Sequence, residues 1–345
     1  MSILSGVSDF FGLDIGSTAI RVVQLSTGPK KQLLRYGMMP IETKVALSDS
    51  KGDQQKVAAK IQEVMAAAKI TTNNVAVGLP SSRVFTMVTD IDRLPAHELS
   101  KSIKYQADSL IPTPIEDSKI DWAVIGDSPE SSTKMELLLS SVTNDYVESR
   151  LDLLESIGLN VIAFEPDNLV LTRSMLPPDT TTPHMVIDIG SLSTDIVITI
   201  NNVPRLIRAV PTGSEAIIKS AMSNLSIDEK QASEFVFKFG LSQQKLEGQV
   251  YNAIIGTIDL LVSDIEKSIK FFQTRYKDQK LERIVMTGAA SSLPEFPLHI
   301  ANKLGVNVEI GNSWRNVIYD PTRQNELMSL SNHFGVAVGL AERNV

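Results

Sequence analysis

Asp14, Gly16, Ser17 and Thr18 fall inside the stretch FGLDIGSTAIRVVQLS, and the same residue types return at Asp188, Gly190, Ser191, Ser193 and Thr194 in MVIDIGSLSTDIVITI. Each set follows an apolar run and precedes an alternating one, which reads as strand, tight turn and second strand. Backbone N–H groups that point out of such a turn make a concave anion site. Gly16 lets the backbone come close to a phosphate and tolerates positive φ. Ser17 and Thr18 add hydroxyl donors, and Arg21 on the next strand carries a planar fork suited to a phosphate. Asp14 repels a phosphate, so it makes sense if a divalent cation lies between acid and phosphate. Mg²⁺ held through water meets that need, with Asp188 in the same relation to the second turn. Two such turns facing each other would clamp a polyphosphate. An ordinary hairpin, its Asp and Ser satisfying turn backbone, accounts for one copy. Two copies about half a chain apart point instead to an internal repeat with a shared task.

A third turn, IVMTGAASSLPEF, follows an apolar strand and precedes a helix. Gly288, Ala289 and Ala290 lack bulk there, so a flat base or ribose could lie against the backbone.

The elements that must position these residues can be read from periodicity. Residues 10–40 form a strand meander, and DQQKVAAKIQEVMAAAK is a helix with Val57, Ile61, Val64 and Met65 on one side. NNVAVGLP is a short buried strand. A block of strand, helix, strand, strand and helix follows, from RVFTMVTDIDRL to NDYVESRLDLLESIG, and reads as an inserted subdomain over about 81–159. LNVIAF and EPDNLVLTRSML supply a strand and a helix, closed by the Pro-rich PPDTTTP, the expected boundary. The first lobe therefore covers 1–80 and 160–178, and the second 179–345. The second half repeats the strand turn, then adds two helices, a long helix over about Gln249–Tyr276, a strand, and a closing helix over about 333–343.

Composition bounds the rest. A chain of 345 residues with 43% hydrophobic and 21% charged content suits a soluble protein of two domains or two lobes. The net charge of −7 argues against broad nucleic-acid binding. No run reaches the length of a membrane span. The start, MSILSGVSDFFGLD, lacks a basic n-region and a cleavage site, so no signal peptide is expected. Cysteine is absent, which excludes disulfides and thiolate metal sites. His97, His184, His299 and His333 are scattered without metal-ligand spacing.

The ordered set of turns resembles the actin-like ATPase superfamily. The resemblance implies an α/β, actin-like (ribonuclease H-like) two-lobed fold with a duplicated core and ATP with Mg²⁺ as ligands. Asp14 to Thr18 match the first phosphate motif, Asp188 to Thr194 the second, and Gly288 to Ala290 the adenosine motif. AFEPDNLVLTRSML and FGVAVGLAER match the two connecting helices, the second returning to the first lobe. Glu165 then falls where relatives orient water or hydrated metal. YQADSLIPTPIEDSKIDW further resembles the PilM family of type IV pilus assembly proteins, through Tyr105, Ala107, Ile111, Pro112 and Pro114, with Gln106 in place of the usual Glu. DIEKSIKFFQTRY and VNVEIGNSW resemble that family too.

The chain departs from the family where Ala289 replaces a glycine, where Gly213-Ser214 replaces two glycines, and where Ser233 and Val236 replace a Glu and a Lys near the nucleoside. The resemblance implies a cytoplasmic adaptor that binds the cytoplasmic N-terminal tail of a PilN-like inner-membrane protein. Turnover of ATP is then slow or absent, membrane association runs only through partners, and a homo-oligomer is compatible. The inserted subdomain is the expected docking element, with Glu116, Asp117 and Asp121 as acidic candidates. An FtsA-like filament protein and a small-molecule kinase of the same superfamily are the alternatives. The first usually ends in a basic amphipathic helix, whereas this chain ends in LAERNV. The second needs a general-base Asp signature that is not found.

Overall fold

The first repeat folds as a hairpin because its apolar residues alternate. In the computed structural model, which describes residues 9–344, β1 (Phe11–Ile15) pairs antiparallel with β2 (Ala19–Leu25), and β2 with β3 (Leu33–Pro40). Residues 1–8, part of the start read as free of a signal peptide, lie outside the described residues. On its other side β1 takes β4 (Asn74–Leu79) in parallel. The helix Lys51–Ala68 supplies the connection, as a parallel pair requires. Its Val57, Ile61 and Val64 pack with Phe11 and Leu13 of β1 and Ile20 and Val22 of β2.

An excursion of three strands follows. β5 (Val84–Asp92), β6 (Ser118–Asp127) and β7 (Lys134–Thr143) form a separate antiparallel sheet of order β5-β7-β6. The helix Ala96–Leu110 covers it, with Leu99 and Ile103, one turn apart, against Ile91, Leu137 and Leu139. Helix Asn144–Ser156 leads back to β8 (Asn160–Pro166), which lies parallel to β4 and completes a sheet of order β3-β2-β1-β4-β8.

The second half repeats that plan. β9 (His184–Ile189), β10 (Thr194–Ile200) and β11 (Val203–Val210) form the meander, and β12 (Arg283–Thr287) and β13 (Asn307–Ile310) run parallel to β9. The order is β11-β10-β9-β12-β13, the first sheet over again. The long helix spans Gln249–Arg275, and its Ile254, Ile258, Leu261 and Ile265 join Met185, Ile187 and Ile189 in one core.

The chain divides into two compact units, Met1–Leu169 with Leu340–Val345, and Val170–Gly339. The sequence places this boundary later, at the Pro-rich stretch after residue 178. Glycine packing explains the earlier division. A Cβ on Gly339 would stand 2.4 Å from the Val170 carbonyl oxygen, and one on Gly335 would stand 2.7 Å from Met175 Cε and 2.8 Å from Leu171 Cδ2. The helix Asp167–Met175 therefore sits tightly on the closing helix Gly335–Ala341. Among the described residues no helix is long and apolar enough to cross a membrane.

Candidate functional site

The candidate residues fall into two sets, one in each unit. In the first unit, Leu13, Val77 and Phe164 stand side by side on β1, β4 and β8 and face the core. Asp14 and Glu165, each the next residue along its strand, stand on the opposite face. Gly78, the register partner of Glu165, lies on the strand between them. Ser17 is half-buried and Thr18 exposed in the turn beyond β1. Gly16 N–H donates to the Ala19 carbonyl at 3.1 Å and closes that turn. A Cβ on Gly16 would come within 3.0 Å of both the Ala19 oxygen and Arg21 Nη1, so the backbone lies open where a side chain would crowd it.

Arg21 pairs in register with Asp14, and its Nη1 donates to Asp14 Oδ2 at 2.9 Å. Burial pushes the Asp14 carboxyl above its ordinary value, against the opposing pull of the Arg21 charge and hydrogen bond. Arg21 Nε is buried with no hydrogen-bond partner, an unmet donor at the turn. Glu165 lies on β8, just before the helix, and its Oε1 forms an ion pair with Arg343 Nη1 at 2.8 Å.

The second unit builds the matching turn. Gly190 N–H donates to the Ser193 carbonyl at 2.9 Å, the counterpart of the Gly16 bond. Asp188 again stands on the face opposite the core residues Ile187 and Ile189. The helix Ser214–Leu225 backs this turn. Ser214 N–H and Glu215 N–H donate to the carbonyls of Gly190 and Ser191, each at 2.9 Å. A Cβ on Gly213 would lie 2.4 Å from the Ser191 oxygen, so only glycine allows that approach. Thr194 is fully buried, and its hydroxyl donates to the Thr212 carbonyl at 2.7 Å, tying the turn to the same segment. Ser191 and Ser193 stay half-buried.

The third turn reaches the same place. Gly288 has φ +84°, and a Cβ there would meet the Ile189 oxygen at 2.4 Å and Asp188 Oδ1 at 2.5 Å. Glycine therefore brings the turn after β12 directly onto the second phosphate turn. Ala289 is half-buried, whereas Ala290 is fully buried in the core. Val236, too, is a core residue and presents nothing to a ligand.

Three residues escape the sequence reading. Asp195 pairs in register with Asp188, so the second turn sets an acid where the first sets Arg21. The signal was present, because both partners lie seven positions after the first acid. Asn332 accepts from Gly288 N–H at 2.9 Å and from the Thr287 hydroxyl at 3.2 Å, and Arg343 holds Glu165. Neither has a sequence signal, because each comes from far along the chain.

Taken by itself, each turn suits the phosphate end of a Mg-nucleotide, with a glycine-opened backbone and an acid at its entry. Among the described residues no group of three or more His, Cys, Asp or Glu could hold a metal. A Mg²⁺ ion beside either turn would take its remaining ligands from water and phosphate oxygen, as it commonly does.

A five-stranded sheet repeated in the same order, with an acid–glycine–hydroxyl turn at the same corner of each copy, defines the actin-like ATPase fold. Solved structures share it. The ethanolamine utilization protein EutJ from Carboxydothermus hydrogenoformans matches with a TM-score of 0.57 and 14% identity over 96% of this chain and 88% of that one. MreB5 of Spiroplasma citri bound to AMPPNP matches with a TM-score of 0.57 and 10% identity over 96% and 95%. The chain belongs to the family of the type IV pilus assembly protein PilM, whose profile matches residues 12–345. A PilM-PilN type IV pilus biogenesis complex matches with a TM-score of 0.82 and 23% identity, over 96% of this chain and 97% of that one.

Proposed function

We propose that this protein is a nucleotide-binding adaptor of type IV pilus assembly, cytoplasmic and held at the inner membrane by a partner. It takes Mg-ATP at the acid–glycine turns and docks the cytoplasmic N-terminal tail of a PilN-like membrane protein. The observation that carries this reading is the family match over residues 12–345. The solved relative, a complex of PilM with PilN, supports the choice of partner.

The phosphate turns are intact in form: each is closed by a glycine N–H, opened by the missing Cβ and entered by an acid. Asp14 and Asp188 would hold Mg²⁺ through water. Gly16, Ser17, Thr18 and Arg21 would meet phosphate from one turn, and Gly190, Ser191, Ser193, Gly213 and Ser214 would shape the other. Gly288 and Ala289 would face the nucleoside. Turnover is slow or absent, because the positions that carry a Glu and a Lys in the family hold Ser233 and the core residue Val236.

Docking uses the excursion between β4 and β8. Glu116 and Asp117 lie exposed in a short 3₁₀ turn after Pro112 and Pro114, and Asp121 lies exposed on β6. Proline fixes φ and restricts its predecessor, so this link within the excursion is stiff. Extended tails are commonly caught at exposed sheet edges.

Calorimetry tests the reading, with Mg-ATP titrated into wild type, Asp14→Ala and Asp188→Ala, with and without a PilN-like tail peptide. Binding by wild type that is weakened about tenfold or more in each variant is expected, equal to about 1.4 kcal/mol. Absent binding by folded wild type, or equal binding by all three, rejects the nucleotide site. Hydrogen-exchange protection by the peptide confined to residues 180–300 rejects the docking site.

A further inference from the structure

We infer that Arg343 is a positioning residue that holds Glu165 away from the reacting water, so that the C-terminal segment acts as the brake on nucleotide turnover. The inference rests on the reading of the first turn as a Mg-nucleotide site and goes beyond it.

Three observations meet here. Glu165 shares with Asp14 the face of the first sheet that is turned away from the core, and Gly78, on the strand between them, has no side chain to separate them. Each of the two carboxylates is taken up by an arginine, Asp14 by Arg21 at 2.9 Å and Glu165 by Arg343 at 2.8 Å. The two arginines differ in origin. Arg21 stands on the neighbouring strand as part of the hairpin, whereas Arg343 comes from the last residues of the chain, Leu340–Val345, which group with the first unit.

The pair is well shielded, with Glu165 14% and Arg343 30% exposed, so water competes weakly for it. An ion pair this close, with water largely kept from it, is screened less than one in open solvent. It directs Glu165 Oε1 at a guanidinium. A carboxylate that orients water must instead offer an oxygen to that water, at hydrogen-bond distance in the reacting complex.

The step being restrained is simple. The water oxygen bonds to the γ-phosphorus as the bond from that phosphorus to the bridging oxygen breaks. The bridging oxygen leaves with the electron pair on ADP, and the surplus proton passes to solvent. Glu165 would orient the water by accepting its hydrogen bond. Holding the carboxylate on Arg343 removes that orientation without touching the residues that bind phosphate. Slow turnover then has a cause within this chain, separate from the altered nucleoside contacts.

The test uses the full chain in wild-type, Arg343→Ala, Arg343→Lys and Glu165→Gln/Arg343→Ala forms. Single-turnover hydrolysis of Mg-ATP and its dissociation constant are measured side by side. Arg343→Ala is expected to raise the hydrolysis rate about tenfold or more, within the range a positioned acid–base group commands, while the dissociation constant stays unchanged. Arg343→Lys keeps the rate low, and the double variant loses the gain. Hydrogen exchange over residues 340–344 should quicken in Arg343→Ala and in the double variant alike. An unchanged or lower rate in an Arg343→Ala protein that still binds Mg-ATP overturns the inference, as does a gain that survives in the double variant. Absent Mg-ATP binding by wild type rejects the nucleotide site itself and the brake with it. Should Arg343→Ala fail to fold, Arg343→Gln, which keeps the donors and drops the charge, carries the same comparison.

Discussion

Gly288 has no room for a side chain. Its φ of +84° is one that L-residues rarely adopt, and a Cβ would strike the Ile189 carbonyl and the Asp188 carboxylate together. Gly305 has a φ of +64° but nothing within 4 Å of its Cβ position. The two glycines separate strain from close approach. Gly305→Ala should lower stability by about 1 kcal/mol, through backbone strain alone. Gly288→Ala should cost about 1–3 kcal/mol and also displace Asp188, abolishing Mg-ATP binding. Denaturant melts and calorimetry on both variants check this. Equal losses in the two, with nucleotide binding kept, would show that the turn does not need its close approach to Asp188.

At the scale of elements, the helix Lys51–Ala68 carries the core face that holds the first sheet, and its start is set by a reciprocal cap. Ser50 Oγ accepts from Asp53 N–H, and the Asp53 carboxylate accepts from Ser50 Oγ at 2.9 Å. Hydrogen bonds from Lys56, then Ser48 and Ser50, lower the Asp53 carboxyl from 3.8 to about 2. The folded state thus favours the charged form. The stabilisation is fully present above the ordinary value and is lost as pH falls through about 2. Asp53→Asn should therefore melt below wild type at pH 6, and the gap should close as pH falls from 4 toward 2. Ser50→Ala should cost about 1 kcal/mol through the lost cap. A gap that is constant with pH would show that the carboxylate charge contributes nothing to the cap.

At the scale of the molecule, the chain is one sheet plan used twice, with an excursion in the first copy. The ends of that excursion lie side by side, because Val84 pairs in register with Val142 across β5 and β7. Its apolar residues form their own cluster under the helix Ala96–Leu110, apart from the core of the first sheet. Replacing residues 85–141 by a short Gly/Ser linker should leave a folded protein that binds Mg-ATP as wild type does. Binding of a PilN-like tail should fall about a hundredfold or more, close to 3 kcal/mol. A shortened chain that still binds the tail would move docking out of the excursion.

The amino-acid sequence by itself determined the repeat, the acid–glycine–hydroxyl turns, the strand meanders and the long helix. Each is a local pattern, written in residues close together along the chain: period two for strands, 3.6 for helices, glycine for the turn. Asp195 was equally local, and only the comparison of the two copies at one offset would have exposed it. What tertiary structure alone decided is what distant segments bring together. Gly288 reaches Asp188 from a hundred positions away, Asn332 ties down the Gly288 turn from 44 positions on, and Arg343 takes hold of Glu165. The burial of Thr194, Val236 and Ala290 was decided there as well, since a small or apolar residue looks the same in sequence whether it faces a ligand or a core. The earlier division between the units, at Val170, follows from the packing of Gly335 and Gly339 on the helix Asp167–Met175. Such contacts depend on the paths of strands and helices through space, and no periodicity in the chain encodes the distance between two residues that only folding brings together.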